Sequence, residues 1–234
     1  MVTDGWAEPA AAADDIVIRV DGGQRPSAAL IRALDGVCDS IAGHAGDGNG
    51  YRRVIVHVSG TPACDWADGL PLAVVNKWER TLRRFERLPA ATIAVAAGDC
   101  GGLALDVLLV ADYRIAVAPV RLLMPVVAGG TWPGMSLYRL ARQAPSAAIR
   151  RAVLFGVPIE ADDALRLRLI DALTDDVAGS LAAMALTEAM SGAELAIRRQ
   201  MVLEAPAVSF EDALGVHLAA CDRALRMAAA GVAP

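Results

Sequence analysis

The stretch that most constrains this chain is residues 91–134. A continuous apolar run at 92–97 meets the glycine-rich Gly98-Asp99-Cys100-Gly101-Gly102, and a second apolar run at 103–110 follows, broken only by Asp106. The first run predicts a strand buried on both faces, and the second predicts a short buried helix. Residues 113–117 return to strand. A helix that begins on a glycine-rich turn presents its first backbone amides without intrahelical acceptors, so the start of this helix is a ready place for an anion.

The same alternation extends along the chain. Residues 16–20 alternate apolar and charged side chains like a half-buried strand, Gly22-Gly23 turns the chain, and 27–41 carry a helical pattern. Residues 43–50 hold four glycines with His44, Asp47 and Asn49, a surface-loop composition whose glycines miss the GxGxxG spacing. A second strand is expected at 54–58, an irregular stretch at 61–70, and a long amphipathic helix at 72–88 that Pro89 stops. After an apolar segment at 120–127 around Arg121 and Pro125, a second glycine-rich loop at 129–134 precedes a helix with Tyr138 and Arg139. Helices dominate from there, and the last starts at Ser209, whose spacing to Asp212 matches a capping box. Strand–helix alternation followed by a helical tail predicts an α/β fold with an appended C-terminal helical region. The expected organisation is a disordered leader at 1–14, a core at 15–175 and the helical region at 176–234.

Composition then excludes several classes. At 234 residues and 55% hydrophobic composition, one domain with a substantial core is expected. A net charge of −5 with scattered basic residues offers no electrostatic stripe for a phosphate backbone, which argues against nucleic acid as a partner. Cys38, Cys64, Cys100 and Cys221 form no CxxC pair, and only His44, His57 and His217 are available beside them, so no metal site is expected. No apolar run reaches the roughly 20 residues that span a bilayer, because Asp106, Asp112 and Arg114 interrupt the longest candidates. The acidic, alanine-rich start lacks the basic residues and apolar stretch of a signal peptide, so the expected location is the cytoplasm, with reduced thiols.

Asp106 asks for an explanation. It is flanked by Leu105, Val107, Leu108 and Leu109, and burying an unpaired carboxylate is unfavourable. Two readings stand level: a helix-start charge that complements the dipole or pairs with an arginine such as Arg114, and a proton carrier whose ionisation is tuned by burial. Other residues have plainer readings. Asp65, Asp68 and Asp99 lie where aspartates cap turns, and Trp66 and Trp132 border the expected pocket, to shape an aromatic site or simply to pack. Cys100 has no basic partner and reads as a small buried side chain; His57 alternates with Val56 and Val58 and falls on the other face of its strand.

Residues 91–174 resemble the central block of the enoyl-CoA hydratase/isomerase (crotonase) family. The resemblance is carried by Gly101-Gly102, Asp106, Ala111-Asp112, Pro125, Pro133-Gly134, Val153-Leu154-Phe155-Gly156 and Ala161-Asp162-Asp163-Ala164, and residues 54–70 extend it more weakly. It implies a crotonase-like ββα spiral core and a site where two backbone amides hold a thioester oxygen as it becomes an enolate. Preorganised amides of this kind contribute on the order of 2.7–4 kcal/mol per donor to a transition state. Carried onto this sequence, the family's first proton-carrying glutamate falls on Asp106 and its second on Val126, so the chain resembles single-acid members. The second oxyanion amide falls on Leu103, next to Gly102. The first falls on Asp65 or Trp66, by the match of Ala67-Asp68 to the end of the family's Ala-Gly-Ala-Asp motif. Trp132, Pro133, Gly134 and Val126 are then expected in the substrate pocket.

Within the family, Asp99-Cys100-Gly101-Gly102, Ala104-Leu105-Asp106, Trp132-Pro133-Gly134-Met135 and residues 150–156 are most similar to the branch serving 3,5-dihydroxyphenylglycine biosynthesis in glycopeptide-antibiotic producers. That resemblance implies a lyase or isomerase that removes water from a CoA-linked polyketide and aromatises it beside a type III polyketide synthase, toward 3,5-dihydroxyphenylacetyl-CoA. Coenzyme A enters as part of the substrate, and no separate cofactor is implied. Two other readings remain open. One is a general enoyl-CoA isomerase or hydratase; the other is a noncatalytic partner that binds or activates the synthase or a related crotonase, suggested by Val126. Family members are often trimers or dimers of trimers built through C-terminal helices, so a homo-oligomer is implied, and the helix at 210–228 would serve it or pack within the chain.

Overall fold

The structure is a computed structural model that describes residues 15–44, 53–184 and 192–231; the leader at 1–14 and most of the first glycine-rich loop lie outside them. The first half alternates as the sequence predicts: β1 (Asp15–Asp21), α1 (Ala28–His44), β2 (Arg53–Gly60), α2 (Leu72–Phe85), β3 (Ala91–Gly101), α3 (Gly102–Val110) and β4 (Tyr113–Leu123). A small hairpin of β5 (Val126–Val127) and β6 (Gly130–Thr131) follows. Then come α4 (Met135–Gln143), α5 (Ser146–Phe155), β7 (Ile159–Glu160), α6 (Ala161–Arg166) and β8 (Ala172–Leu173). The C-terminal part holds α7 (Val177–Ala183), α8 (Gly192–Glu204), a 3-10 turn at Ala205–Ala207 and α9 (Phe210–Ala229).

β1 to β4 lie side by side in chain order and pair in parallel. Both short strands β7 and β8 add to β4, the first antiparallel and the second parallel. Because alternate side chains leave a strand on opposite faces, the apolar runs of β2 and β3 feed two layers. Val54, Val56, Val58, Ala94 and Ala96 join the main core beneath α1, α2 and α3, whereas Ile55, Ile93, Val95 and Ile115 form a second cluster covered by Leu181 of α7. His57 shares the parity of Ile55 and is buried, in keeping with its expected place on the sheet's other face. Cys100 is fully buried, and burial pushes its thiol up to about 12, as suits a packing residue and not a nucleophile.

β3 differs from its expected form. The glycine-rich stretch at 98–102 does not end the strand as a turn; pairing shifts register between Ala97 and Gly98, and Gly98–Gly101 then continue against Val120–Leu123 of β4. Gly98 takes φ +60°, which glycine adopts at little steric expense, and an irregularity of this kind bends a strand without stopping it. The apolar segment from residue 120 is therefore the far half of β4. β2 shifts register at the same level, between Val58 and Gly60. Here the ends of β1, β2 and β3 converge on Gly22, where an added Cβ would stand 2.2 Å from the Gly60 oxygen and 2.3 Å from the Gly101 oxygen. That convergence fixes where α3 begins.

α3 is the most interior helix, with every residue from Leu103 to Val110 buried, and it contacts the sheet, α2 and α4. On the opposite end of the sheet, Arg199 of α8 donates to the carbonyls of Glu86, Leu88 and Ala90 at 3.1, 2.6 and 2.8 Å and pairs with Asp112 at 2.5 Å. α9 starts at the predicted cap: the Ser209 hydroxyl accepts from the Asp212 amide at 3.1 Å. No residue of α9 is buried, and Phe210, Val216, Leu218 and Leu225 are all exposed, so the helix does not pack into the chain's own core.

Candidate functional site

Three helices converge on Asp106. α2 carries Val75, Trp78, Glu79 and Leu82 at helical spacing, so one stripe of this amphipathic helix faces α3. α4 starts at Gly134 and turns Ser136, Arg139 and Leu140 inward at the same spacing. Between them lies a cavity of about 20 Å³, room for roughly one water, whose wall includes Trp66, Glu79, Gly102, Leu103, Asp106 and Ser136.

The Asp106 carboxylate is held from both sides. Trp78 Nε1 donates to Oδ2 at 2.9 Å, and the Ser136 hydroxyl donates to Oδ1. Burial pushes its pKa above the ordinary carboxylate range, while the Ser136 and Trp78 hydrogen bonds and the charge of Arg139 oppose the rise. The proposed pairing with Arg114 is not found: that guanidinium bonds Gln143 Oε1 at 2.7 Å and the Leu109 carbonyl at 3.0 Å. Nor does Asp106 sit in the first turn of α3, which contains no acidic residue. The helix-start and Arg114 explanations therefore fail on geometry, and the arginine whose charge reaches Asp106 is Arg139.

Gly101 caps α3 without a side-chain hydrogen bond, so the amides of Gly102 and Leu103 retain the donor capacity of an uncapped helix start. Asp106 follows Gly102 by four residues, about one helical turn and 6 Å along the axis. An anionic oxygen at the helix start and a proton carrier one turn on are thus built from a single element. Of the two residues expected to supply the other amide, Trp66 has its N–H engaged by the Ala63 carbonyl at 3.2 Å. Asp65 lies in an exposed turn and does not line the cavity.

Other expected pocket residues divide. Trp132 lines the cavity and meets Trp66 edge to face, with ring centroids 5.2 Å apart and planes at 78°. Gly134 works from behind, since a Cβ there would fall 2.4 Å from Trp132 Nε1. Pro133 is exposed, and Val126 is a correction to the expected pocket: it is 47% exposed on the β5–β6 hairpin, paired with Thr131 and off the cavity wall, to which its neighbour Pro125 contributes instead. Asp99 pairs with Arg121 at 2.7 Å on the surface and takes no part. Among the described residues no group of histidine, cysteine and carboxylate side chains could hold a metal, and no helix is long and apolar enough to cross a membrane.

The sequence reading missed Trp78, Ser136 and Glu79. Glu79 pairs with Arg139 at 2.8 Å, and burial, with the nearby negative charge of Asp106, pushes its pKa upward against the pull of Arg139. A signal was present, because Val75, Trp78, Glu79 and Leu82 fall at i, i+3, i+4 and i+7, placing a carboxylate where the stripe calls for an apolar residue.

A bent parallel sheet that delivers an uncapped helix start beside a buried carboxylate defines a class of protein suited to stabilising an oxyanion next to a moving proton. The comparisons agree with that class. The sequence is 52% identical over 213 residues to an Enoyl-CoA-hydratase of Amycolatopsis orientalis, covering 91% of this chain and 96% of the relative. The fold matches an enoyl-CoA hydratase of Mycobacterium smegmatis at TM-score 0.72, with 17% identity and coverage of 92% and 87% of the two chains. An enoyl-CoA hydratase/isomerase of Marinobacter aquaeolei gives TM-score 0.73 at 16% identity, with coverage of 94% and 89%. No family model matches the sequence. The chain belongs to the enoyl-CoA hydratase/isomerase (crotonase) family.

Proposed function

We propose that this protein is a dehydratase/isomerase that binds an acyl-CoA thioester, stabilises its enolate and uses Asp106 as the proton carrier. The observation that carries the reading is the buried Asp106 carboxylate, hydrogen-bonded on both oxygens, one helical turn from the uncapped amides of Gly102 and Leu103. In the proposed step the Asp106 carboxylate takes a proton from the carbon beside the thioester, and the C–H electron pair moves to the thioester oxygen held at the helix start. In the one-acid form of the step, collapse of that enolate expels the β-hydroxyl, which takes the proton back from Asp106 and leaves as water, or, in an isomerisation, Asp106 returns the proton further along the chain. Coenzyme A is part of the substrate throughout.

The acyl group proposed is an oxygen-bearing, polyketide-like one. Trp66 Nε1 is buried with no hydrogen-bond partner, and Gln24, Glu79 and Ser136 share the cavity wall. A plain fatty chain would leave the Trp66 Nε1 donor unpaired, and an unpaired buried group discriminates against a substrate that lacks the matching oxygen. This supports dehydration and aromatisation of a CoA-linked polyketide to 3,5-dihydroxyphenylacetyl-CoA beside a type III polyketide synthase, within antibiotic biosynthesis. The exposed apolar side chains of α9 support self-association or contact with that synthase.

The test combines the protein with the synthase and malonyl-CoA and follows products by mass spectrometry for wild type and Asp106→Asn. General acid/base assistance contributes about 10²–10⁴ in rate, so the variant is expected to lose dihydroxyphenylacetyl product by that factor. Equal product from the variant would make the chain a partner that binds and not a catalyst.

A further inference from the structure

We infer that Glu79 is the second acid of this site, giving a proton to a departing β-hydroxyl while Asp106 takes the proton beside the thioester. The inference rests on the thioester-enolate reading above and assigns a role that Val126 does not fill, since Val126 stands off the cavity.

Geometry separates the two carboxylates by wall. Asp106 rises from α3, close to the helix start that would hold the thioester oxygen, which puts it beside the first carbon of the acyl chain. Glu79 reaches the same cavity from α2, one turn after Val75 and next to Trp78, both of which also line the wall. A chain that enters past α3 would meet Glu79 further from the thioester, where a β-oxygen lies. Arg139 occupies Glu79 Oε2 at 2.8 Å, and Oε1 has no hydrogen-bond partner among the described residues. One oxygen is thus fixed and the other remains available to a substrate. Arg139 Nη1 is itself buried without a hydrogen-bond partner, and the guanidinium charge, which also reaches Asp106, stabilises the Glu79 carboxylate once the proton has gone. Burial works in the opposite direction, favouring the neutral form over the ionised one.

The step balances as an elimination. The Cα–H bond breaks as its proton forms an O–H bond on Asp106, and the electron pair passes to the thioester oxygen. As that pair returns to form the Cα–Cβ double bond, the Cβ–O bond breaks, and the hydroxyl takes the Glu79 proton and departs as water. Asp106 ends protonated and Glu79 ionised; exchange with solvent resets both. A purely structural Glu79–Arg139 pair would instead support folding and the two half-steps alike.

The experiment splits those half-steps. Full-length wild type, Asp106→Asn, Glu79→Gln and Glu79→Asp, each checked for folding by circular dichroism, are assayed for deuterium incorporation beside the thioester of 3,5-dihydroxyphenylacetyl-CoA in D₂O and for dehydration of 3-hydroxybutyryl-CoA. Exchange needs only the enolate; dehydration needs the acid as well. Glu79→Gln is expected to keep exchange near wild type while dehydration falls by about 10²–10⁴, and Glu79→Asp, which keeps the ion pair and answers if the glutamine variant unfolds, should restore part of it. Unchanged dehydration in Glu79→Gln, or equal loss of both reactions, overturns the inference. If Asp106→Asn retains exchange, the thioester-enolate reading itself falls.

Discussion

Ser136→Ala is the perturbation that most directly probes how Asp106 is poised. The substitution removes one oxygen atom from a residue that is 3% exposed and takes away the donor to Asp106 Oδ1, leaving Trp78 Nε1 at 2.9 Å as the remaining one. A hydrogen bond to a charged group is worth about 1.5–3 kcal/mol, and here it favours the ionised carboxylate over the protonated form. At 1.36 kcal/mol per pH unit, that is a displacement of roughly one to two units. The direction is upward, adding to the rise that burial already imposes. The assay is kcat/KM for thioester α-proton exchange against pH, whose acid limb reports ionisation of the base in the free enzyme. Ser136→Ala should move that limb to higher pH by roughly one to two units while leaving the rate well above the limb within a few-fold, since Asp106 is still present. A loss that is uniform across pH, with the limb in place, would refute the assignment of Asp106 as the titrating base.

Two further outcomes concern stability. A carboxylate whose native pKa is raised favours folding fully below its unfolded value and loses that contribution as pH rises through the native value, so ionised Asp106 weakens the fold at neutral pH. Asp106→Asn should therefore melt higher than wild type at pH 7, and the advantage should shrink as pH falls through the raised native value toward the ordinary carboxylate range, where it is gone; a variant that melts lower at pH 7 refutes the sign. Gly22→Ala would force a Cβ against the Gly60 and Gly101 carbonyls, an overpacking expected to lower stability by about 1–3 kcal/mol or more, and an unchanged urea midpoint would show that the strand ends separate freely.

The alternation of strands and helices was legible because the first six residues of β2 and of β3 and residues Leu103 to Val110 of α3 are buried, and their sequences are almost continuously apolar. The glycine stretch at 98–102 was misread for a physical reason: glycine marks a bulged continuation and a turn alike, and only the pairing of Gly98–Gly101 with β4 decides between them. Asp106 stood out as a charge amid leucines. Its supports did not, because Trp78 and Ser136 come from helices 28 and 30 residues away in sequence, and nothing local records that they meet. Val126 was placed by a gapless alignment, whereas the β5–β6 hairpin turns it outward.

α3 carries both the amides that would hold an oxyanion and the carboxylate that would move a proton, with every residue from Leu103 to Val110 packed on its neighbours. The spacing between those two groups is therefore set by helical rise alone and cannot drift when the surrounding walls change. Cavity residues that touch neither carboxylate, such as Gln24, Trp66, Val75 and Trp132, can be exchanged to admit a different acyl group while the distance between oxygen holder and proton carrier stays constant. In engineering terms the chain separates a fixed reaction module from an adjustable selectivity wall, and substrate scope is the property most open to redesign.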